Sequence, residues 1–257
     1  MIEVHQLPAL SDNYIYILRE PTSGLVAVVD PTLARIVIDF LGARGWGLHS
    51  ILNAHHHPDH IGGNLELKAR FGCEIIGNAR DQARIPGISR LVSGGEEFFF
   101  GAEQVKVFAA DGHTIGHIAY WMPASKALFS GDVIFSLGCG KLFEGSPEQM
   151  WETISRLRAL PDDTLVYGSH EYTLDNAAYA LTVDPNNPQL VAMAMEARAL
   201  RATGKSTVPT LLGAEKAANP FLRPEHLRAA MGLGADVPLA KVFAATRADK
   251  DKFDKGI

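Results

Sequence analysis

Four of the chain's ten histidines fall within Asn53-Ala54-His55-His56-His57-Pro58-Asp59-His60, beside a carboxylate. Imidazole nitrogens and carboxylate oxygens are the donors of zinc and of other divalent-metal sites. Apolar Ile51 and Leu52 lead in, so a strand is expected to end here and present its side chains in a loop. In an extended segment alternate residues share a face, which puts His55, His57 and Asp59 on one side and His56 on the other. Pro58 holds His57 extended and stops the ladder, and Gly62-Gly63 eases a sharp turn that swings His60 back. His113, Asp132 and His170 stand at the ends of three further expected strands. These seven donors exceed the three or so protein ligands of one catalytic zinc. They suggest two ions about 3.5–4 Å apart, with Asp132 as the bridging carboxylate. Bringing such distant segments together is the work of the fold, which spacing alone does not show. His117 is one histidine more than the site needs and is read as a core residue or a support behind the ligands, and His56 as packed or hydrogen-bonded, neither as a ligand.

The elements that would carry these residues are visible in outline. Asn13–Leu18 and Leu25–Asp30 read as a hairpin turning at Pro21-Thr22-Ser23-Gly24. A helix of about ten residues follows from Leu33, with Thr32 as its cap. Next come a strand at Ser50–Asn53, the histidine loop, a short helix near Asn64–Phe71 and a buried strand at Glu74–Gly77. Strands at Glu97–Phe100 and Val105–Ala109 lead to His113, and a hairpin of Ile118–Met122 and Ala127–Ser130 ends at Asp132. Ser146-Pro147-Glu148-Gln149 has the form of a capping box opening a helix with Met150, Ile154, Leu157 and Leu160 on its apolar face. Thr164–Tyr167 is the last expected strand and runs into His170. Beyond it the pattern is helical: Leu174–Val183, a helix opened by Asn187-Pro188 and closed by Gly204, Pro224–Met231 and Leu239–Phe253, with Ser206–Leu222 irregular. The expected division is an α/β layered domain over 1–173 and a small all-helical domain over 174–257.

The net charge of −5 argues against a general nucleic-acid or membrane-surface binder, so an anionic ligand would need a local basic patch. No apolar run approaches the roughly 20 residues of a membrane span, and the N-terminus lacks the pattern of a signal peptide. Cys73 and Cys139 are too few for a disulfide framework and are expected as free thiols in a reducing cytoplasm. Both, like Met193 and Met195, read as packing residues, whereas His5, His49 and His226 read as surface.

The series His55-x-His57-x-Asp59-His60, His113, Asp132, His170 resembles the ligand series of the metallo-β-lactamase fold superfamily. That resemblance implies an αββα sandwich with metals at one edge of its two sheets. Narrower likenesses lie in Gly138-Cys139-Gly140-Lys141-Leu142-Phe143-Glu144-Gly145 with Glu148-Gln149-Met150, in His170-Glu171-Tyr172-Thr173, and in Arg247-x-x-Lys250-Asp251-x-Phe253. These resemble glyoxalase II, the hydroxyacylglutathione hydrolases, along nearly the whole chain. The resemblance implies one metal on His55, His57 and His113, a second on Asp59, His60 and His170, and Asp132 bridging both. It implies glutathione contacts at Lys141, Tyr172, Arg247 and Lys250. Phe143 stands where some members carry tyrosine, and Ala54 where threonine is common.

The implied activity is hydrolysis of S-(2-hydroxyacyl)glutathione, typically S-D-lactoylglutathione, to glutathione and D-lactate, the second step of methylglyoxal detoxification. A metal-bridging hydroxide beside Asp59 and Asp132 would attack the thioester, two metals lowering the pKa of water towards about 7. A donor set of nitrogen and oxygen without thiolate suits zinc and also accepts iron or manganese. The expected partner is the small glutathione thioester alone, with no nucleic acid or membrane, acting on a monomer. The rival is a glutathione persulfide dioxygenase of the same fold with a single iron, against which the Lys141–Gly145 segment and the helical C-terminal domain argue.

Overall fold

The computed structural model describes residues 1–256. Its packing forms two compact units, one of residues 1–110 and 115–131, the other of 111–114 and 132 onward.

The first unit contains β1 (Glu3–Ala9), β2 (Asn13–Arg19), β3 (Val26–Val29), α1 (Ala34–Gly42) and β4 (Ser50–Leu52). It continues through α2 (Pro58–Ile61), α3 (Asn64–Phe71), β5 (Glu74–Asn78), β6 (Arg90–Val92), β7 (Glu97–Phe100), β8 (Glu103–Ala109), β9 (Ile118–Met122) and β10 (Ala127–Gly131). One sheet runs β1-β2-β3-β4-β5-β6, antiparallel across β1–β3 and parallel from β3 onward. Parallel neighbours need crossovers, and α1 and α3 supply two of them. Val37 and Leu41 of α1 and Leu67 of α3 are buried with Ile15, Ile17, Val28, Ile51 and Ile75 of the strands. β7 to β10 form an antiparallel meander. The two sets of strands meet face to face: the Tyr120 hydroxyl of β9 donates to the carbonyls of Asn53 (2.9 Å) and Ile76 (3.3 Å). Tyr16 of β2 also packs against Phe129 of β10 at 5.6 Å.

The expected hairpin is β2–β3, but β1 was not anticipated, although it pairs with β2 over seven positions. Its mixed Glu3-Val4-His5-Gln6 lacks an apolar alternation because the strand is mostly half-buried. Thr32 does not cap α1, whose N-cap is Leu33 without a side-chain bond. Its hydroxyl donates instead to the Asp59 carbonyl.

The second unit holds β11 (Ile134–Phe135), β12 (Gly138–Cys139), α4 (Pro147–Leu157), β13 (Leu165–Gly168) and α5 (Thr173–Val183). After these come α6 (Pro188–Ala202), β14 (Thr210–Leu211), α7 (Leu212–Ala218), α8 (Pro224–Ala230) and α9 (Leu239–Phe253). The capping box at Ser146 and Gln149 is formed, and Met150, Ile154 and Leu157 are buried as expected. Asn187 caps α6 through the amides of Gln189 and Leu190. The 206–222 stretch is not irregular throughout: β14 pairs with β13, and α7 and a 3-10 turn at Pro220–Leu222 follow. These pieces are too short to show a period, and a buried carboxylate ties them together. Glu215 of α7 accepts from the Leu137 amide, the Thr210 hydroxyl and the Asn219 amide at 2.8–2.9 Å. Its burial pushes the carboxyl pKa up to about 7. Met193 packs into the small core of this unit as expected, but Met195 is exposed. Among the described residues no helix is long and apolar enough to cross a membrane.

Candidate metal centre and cationic pocket

In the first unit β4 ends at Leu52 and hands the chain to Asn53, which is fully buried. The Asn53 amide donates to the His60 carbonyl at 3.2 Å and accepts from Asn64 at 2.8 Å, closing the loop on itself. The segment does not stay extended to Asp59. Pro58 takes the first position of α2, where its fixed φ suits a helix and its missing N–H costs nothing. That single turn moves Asp59 and His60 away from the strand line. Gly62 and Gly63 have ordinary helical φ values of −58° and −86°, so they are not there to permit a turn. They are there for close approach, since a Cβ would lie 2.5 Å from the Thr32 carbonyl oxygen at Gly62 and 2.6 Å from that of Pro31 at Gly63.

The loop brings four expected donors together. The His55 ring lies 4.6 Å from His57 and 4.1 Å from His60, and His60 Nε2 is 3.5 Å from Asp59 Oδ2. Two residues not anticipated as site residues hold them. Asn13 donates to Asp59 Oδ2 at 3.0 Å. Asp30 accepts from His60 Nδ1 at 3.0 Å and, with its other oxygen, from the Ala54 amide at 2.8 Å. The position after Val28-Val29 was legible as a strand end; nothing in its neighbours marked the side chain as a brace. His56 faces away as parity predicted, with Nδ1 3.5 Å from the fully buried Asp81, which Arg84 also engages. His117 is fully buried and stacks on His55 at 4.8 Å. His5 is not a surface residue: it packs on Phe40 and Trp46, and burial lowers its pKa.

In the second unit His113, Asp132 and His170 come together. Both His113 Nε2 and His170 Nε2 lie 3.4 Å from Asp132 Oδ2. His113 Nδ1 donates to the Lys141 carbonyl at 2.7 Å, and His170 stacks on Tyr172 at 4.7 Å. Gly140 makes this possible, because any Cβ there would fall on the Asp132 carbonyl oxygen.

Each half fits a metal on donor chemistry. A carbonyl only accepts, so the Nδ1 of His113 carries a proton, and in the neutral ring the lone pair is then on Nε2. That lone pair faces a carboxylate oxygen, which also only accepts. The same holds for His60, whose Nδ1 serves Asp30 while Nε2 faces Asp59. A cation between these atoms, a proton or a metal ion, satisfies both sides, and an Nδ1 held by a carboxylate or carbonyl is the usual support of a metal-binding imidazole. His55, His57, Asp59, His60, His113, Asp132 and His170 are side chains whose donor atoms could hold a metal ion.

Beside the second half lies a cavity of about 510 Å³ whose lining includes Lys141, Tyr172, Asn176, Arg247, Lys250 and Asp254. Arg247 and Lys250 are only 4% and 3% exposed. Arg247 donates to the Cys139 carbonyl at 3.0 Å and pairs with Asp251 at 3.0 Å. Burial pushes the Cys139 thiol up to about 11, which makes it a packing residue rather than a thiolate. Phe143 is 62% exposed and sets its ring edge-on to His113 at 5.2 Å.

The metallo-β-lactamase superfamily profile matches residues 10–170, and the hydroxyacylglutathione hydrolase C-terminus profile matches 171–253. A hydroxyacylglutathione hydrolase of Methylococcus capsulatus is 51% identical over 98% of this chain and 99% of its own length. One from Rhodospirillum rubrum is also 51% identical, over 98% and 99%. Among solved structures, ETHE1 from Myxococcus xanthus shares the fold at a TM-score of 0.66, with 24% identity over 96% of this chain and 98% of that one. The expected α/β architecture, an αββα sandwich of the metallo-β-lactamase type followed by a helical C-terminal region, is therefore the right one. With two relatives at half identity along their full lengths, the chain belongs to the hydroxyacylglutathione hydrolases of the metallo-β-lactamase superfamily.

Proposed function

We propose that this protein is a metal-dependent thioesterase that hydrolyses S-(2-hydroxyacyl)glutathione, typically S-D-lactoylglutathione, to glutathione and a 2-hydroxy acid. The observation that carries the reading is the double use of Lys141. Its carbonyl holds the donor His113, and its side chain lines the cavity where Arg247 and Lys250 are buried. A cationic pocket for carboxylates thus adjoins a candidate hydrolytic centre.

In this reading His55, His57 and His113 would hold one divalent ion and Asp59, His60 and His170 a second, with Asp132 available to both. Zinc, iron and manganese all suit these donors. Such ions, when bound, lower the pKa of water and polarise a carbonyl. The chain's own residues do the rest. Asp59, oriented by Asn13, would accept a hydrogen bond from the attacking water. Lys141, Tyr172, Arg247 and Lys250 hold the glutathione part, arginine favouring a bidentate grip on a carboxylate. Phe143 offers the same region an aromatic face without a hydroxyl. A glutathione thiolate leaves without a dedicated general acid. By role rather than by packing unit, residues 1–173 would be the catalytic part of the sequence, carrying all seven donors, and the helical part from 174 would add Arg247 and Lys250 to the glutathione site. The free thiols Cys73 and Cys139 suit a reducing cytoplasm.

The test is metal analysis and a thioester assay on one purified sample. About two metals per chain, with loss of thioester absorbance on adding enzyme to S-D-lactoylglutathione, is expected. One iron per chain with oxygen uptake on glutathione persulfide, and no thioester cleavage, would move the activity to a dioxygenase.

A further inference from the structure

The cationic pair in the pocket already has a carboxylate on it. Lys250 is 3% exposed, and a buried ammonium is costly without a counter-charge. The carboxylate it has is Asp254, four residues on at the C-terminal end of α9, to which Lys250 Nζ is ion-paired. The second oxygen of Asp254 lies 3.6 Å from Arg247 Nη2. Arg247 has Asp251 as well, at 3.0 Å, so Asp254 matters most to Lys250. Asp254 lines the cavity, and its side chain is 46% exposed, so it can leave without unpacking anything. Among the described residues the other charges on the lining are Lys141 and Asp175.

We infer that Asp254 is a place-holding carboxylate: it neutralises Lys250 and Arg247 in the free protein and is displaced by a ligand carboxylate. The inference rests on the reading of this pocket as the glutathione site. Without the place-holder the free protein carries a buried, under-neutralised lysine, and a ligand carboxylate relieves that cost on binding. With it, every ligand must first break an ion pair. The pocket is thereby made selective, because a thioester whose thiol portion lacks a carboxylate cannot displace Asp254 without leaving Lys250 bare. Affinity for the right ligand is lowered in exchange for discrimination against the wrong one.

The experiment compares the full-length metal-loaded wild type with Asp254→Asn and Asp254→Glu. Steady-state kinetics on S-D-lactoylglutathione would be read alongside the shift in thermal midpoint caused by glutathione. Asp254→Asn should lower KM roughly two- to fivefold, the worth of a half-exposed ion pair, with a smaller effect on kcat. It should also melt lower without ligand and gain more from glutathione, and Asp254→Glu should behave as the wild type. If the wild type hydrolyses the thioester but Asp254→Asn has an unchanged KM, the place-holder is wrong and the function stands. A raised KM overturns it too, since Asp254 would then be holding the ligand. A wild type that neither hydrolyses the thioester nor binds glutathione removes both readings.

Discussion

His113 and Lys141 are joined by a 2.7 Å hydrogen bond from the imidazole Nδ1 to the main-chain carbonyl. The bond is to the backbone, so it survives any side chain at position 141, whereas the neighbouring Gly140 controls whether the backbone can lie there at all. The two positions should therefore separate chemistry from binding. Lys141→Ala is expected to raise KM with little loss of bound metal. Gly140→Ala, whose methyl collides with the Asp132 carbonyl, is expected to lose metal and kcat together. Metal content per chain and steady-state constants for both variants decide the matter, and equal effects on KM would remove the proposed division.

Asp30 plays the corresponding part for His60. One oxygen holds the ring and the other the Ala54 amide, so the carboxylate fixes a metal donor and the strand end before His55. Replacing such a supporting carboxylate typically costs about 10- to 100-fold in metal affinity. Asp30→Asn is the informative change, since Asp30 has a φ of 48° that asparagine tolerates well. Chelator competition should show affinity falling by about that factor while the denaturation midpoint of the metal-free protein moves little. Undiminished affinity would mean that the His60 ring is held by its packing alone.

The contrast between these pairs explains what the sequence made legible. The seven donors were visible because their types are rare and clustered, and the main strands because their apolar runs are long. Asp30, Asn13 and Asn53 were not visible, because a brace differs from any other polar loop residue only in what folding sets opposite it. The direction of the loop is ambiguous in sequence for a local reason: Pro58 suits the end of an extended run, and it is also a good first residue of a helix, the role it has here. Gly62-Gly63 looked like a hinge because sequence shows flexibility and not crowding, and crowding is what these glycines answer. The β14–α7 segment escaped notice because its stability comes from Glu215, a single buried carboxylate with no periodic signature.

Glu215 makes a pH prediction. Burial raises its pKa from the ordinary 4.5 to about 7. A carboxyl raised in the folded state binds more protons there than in the unfolded chain between those two values, so its contribution to stability falls as pH rises through that window and is flat above it. The full span corresponds to about 3 kcal/mol as an order of magnitude. Glu215→Gln cannot ionise and should lose this component of the pH dependence. Denaturant melts of both proteins from pH 5 to 8 give the difference curve. A difference that does not change with pH would show that the hydrogen bonds from Leu137, Thr210 and Asn219 keep the carboxylate charged throughout.

Arg247 and Lys250 provide the direct test of the pocket. Both are remote from the thioester carbonyl in the proposed reading, so they act on ground state and transition state alike. Uniform binding of that kind appears in KM and not in kcat. Arg247→Ala combined with Lys250→Ala should accordingly raise KM well beyond any fall in kcat. Arg247 also holds the Cys139 carbonyl, so part of its effect is on the loop that leads to Lys141. Lys250→Met separates the two effects, because it keeps the packing against Tyr179 and Phe253 and removes only the charge. A KM that rises in Lys250→Met as well as in the double variant assigns the effect to carboxylate binding. A KM unchanged in both would mean that glutathione is held elsewhere.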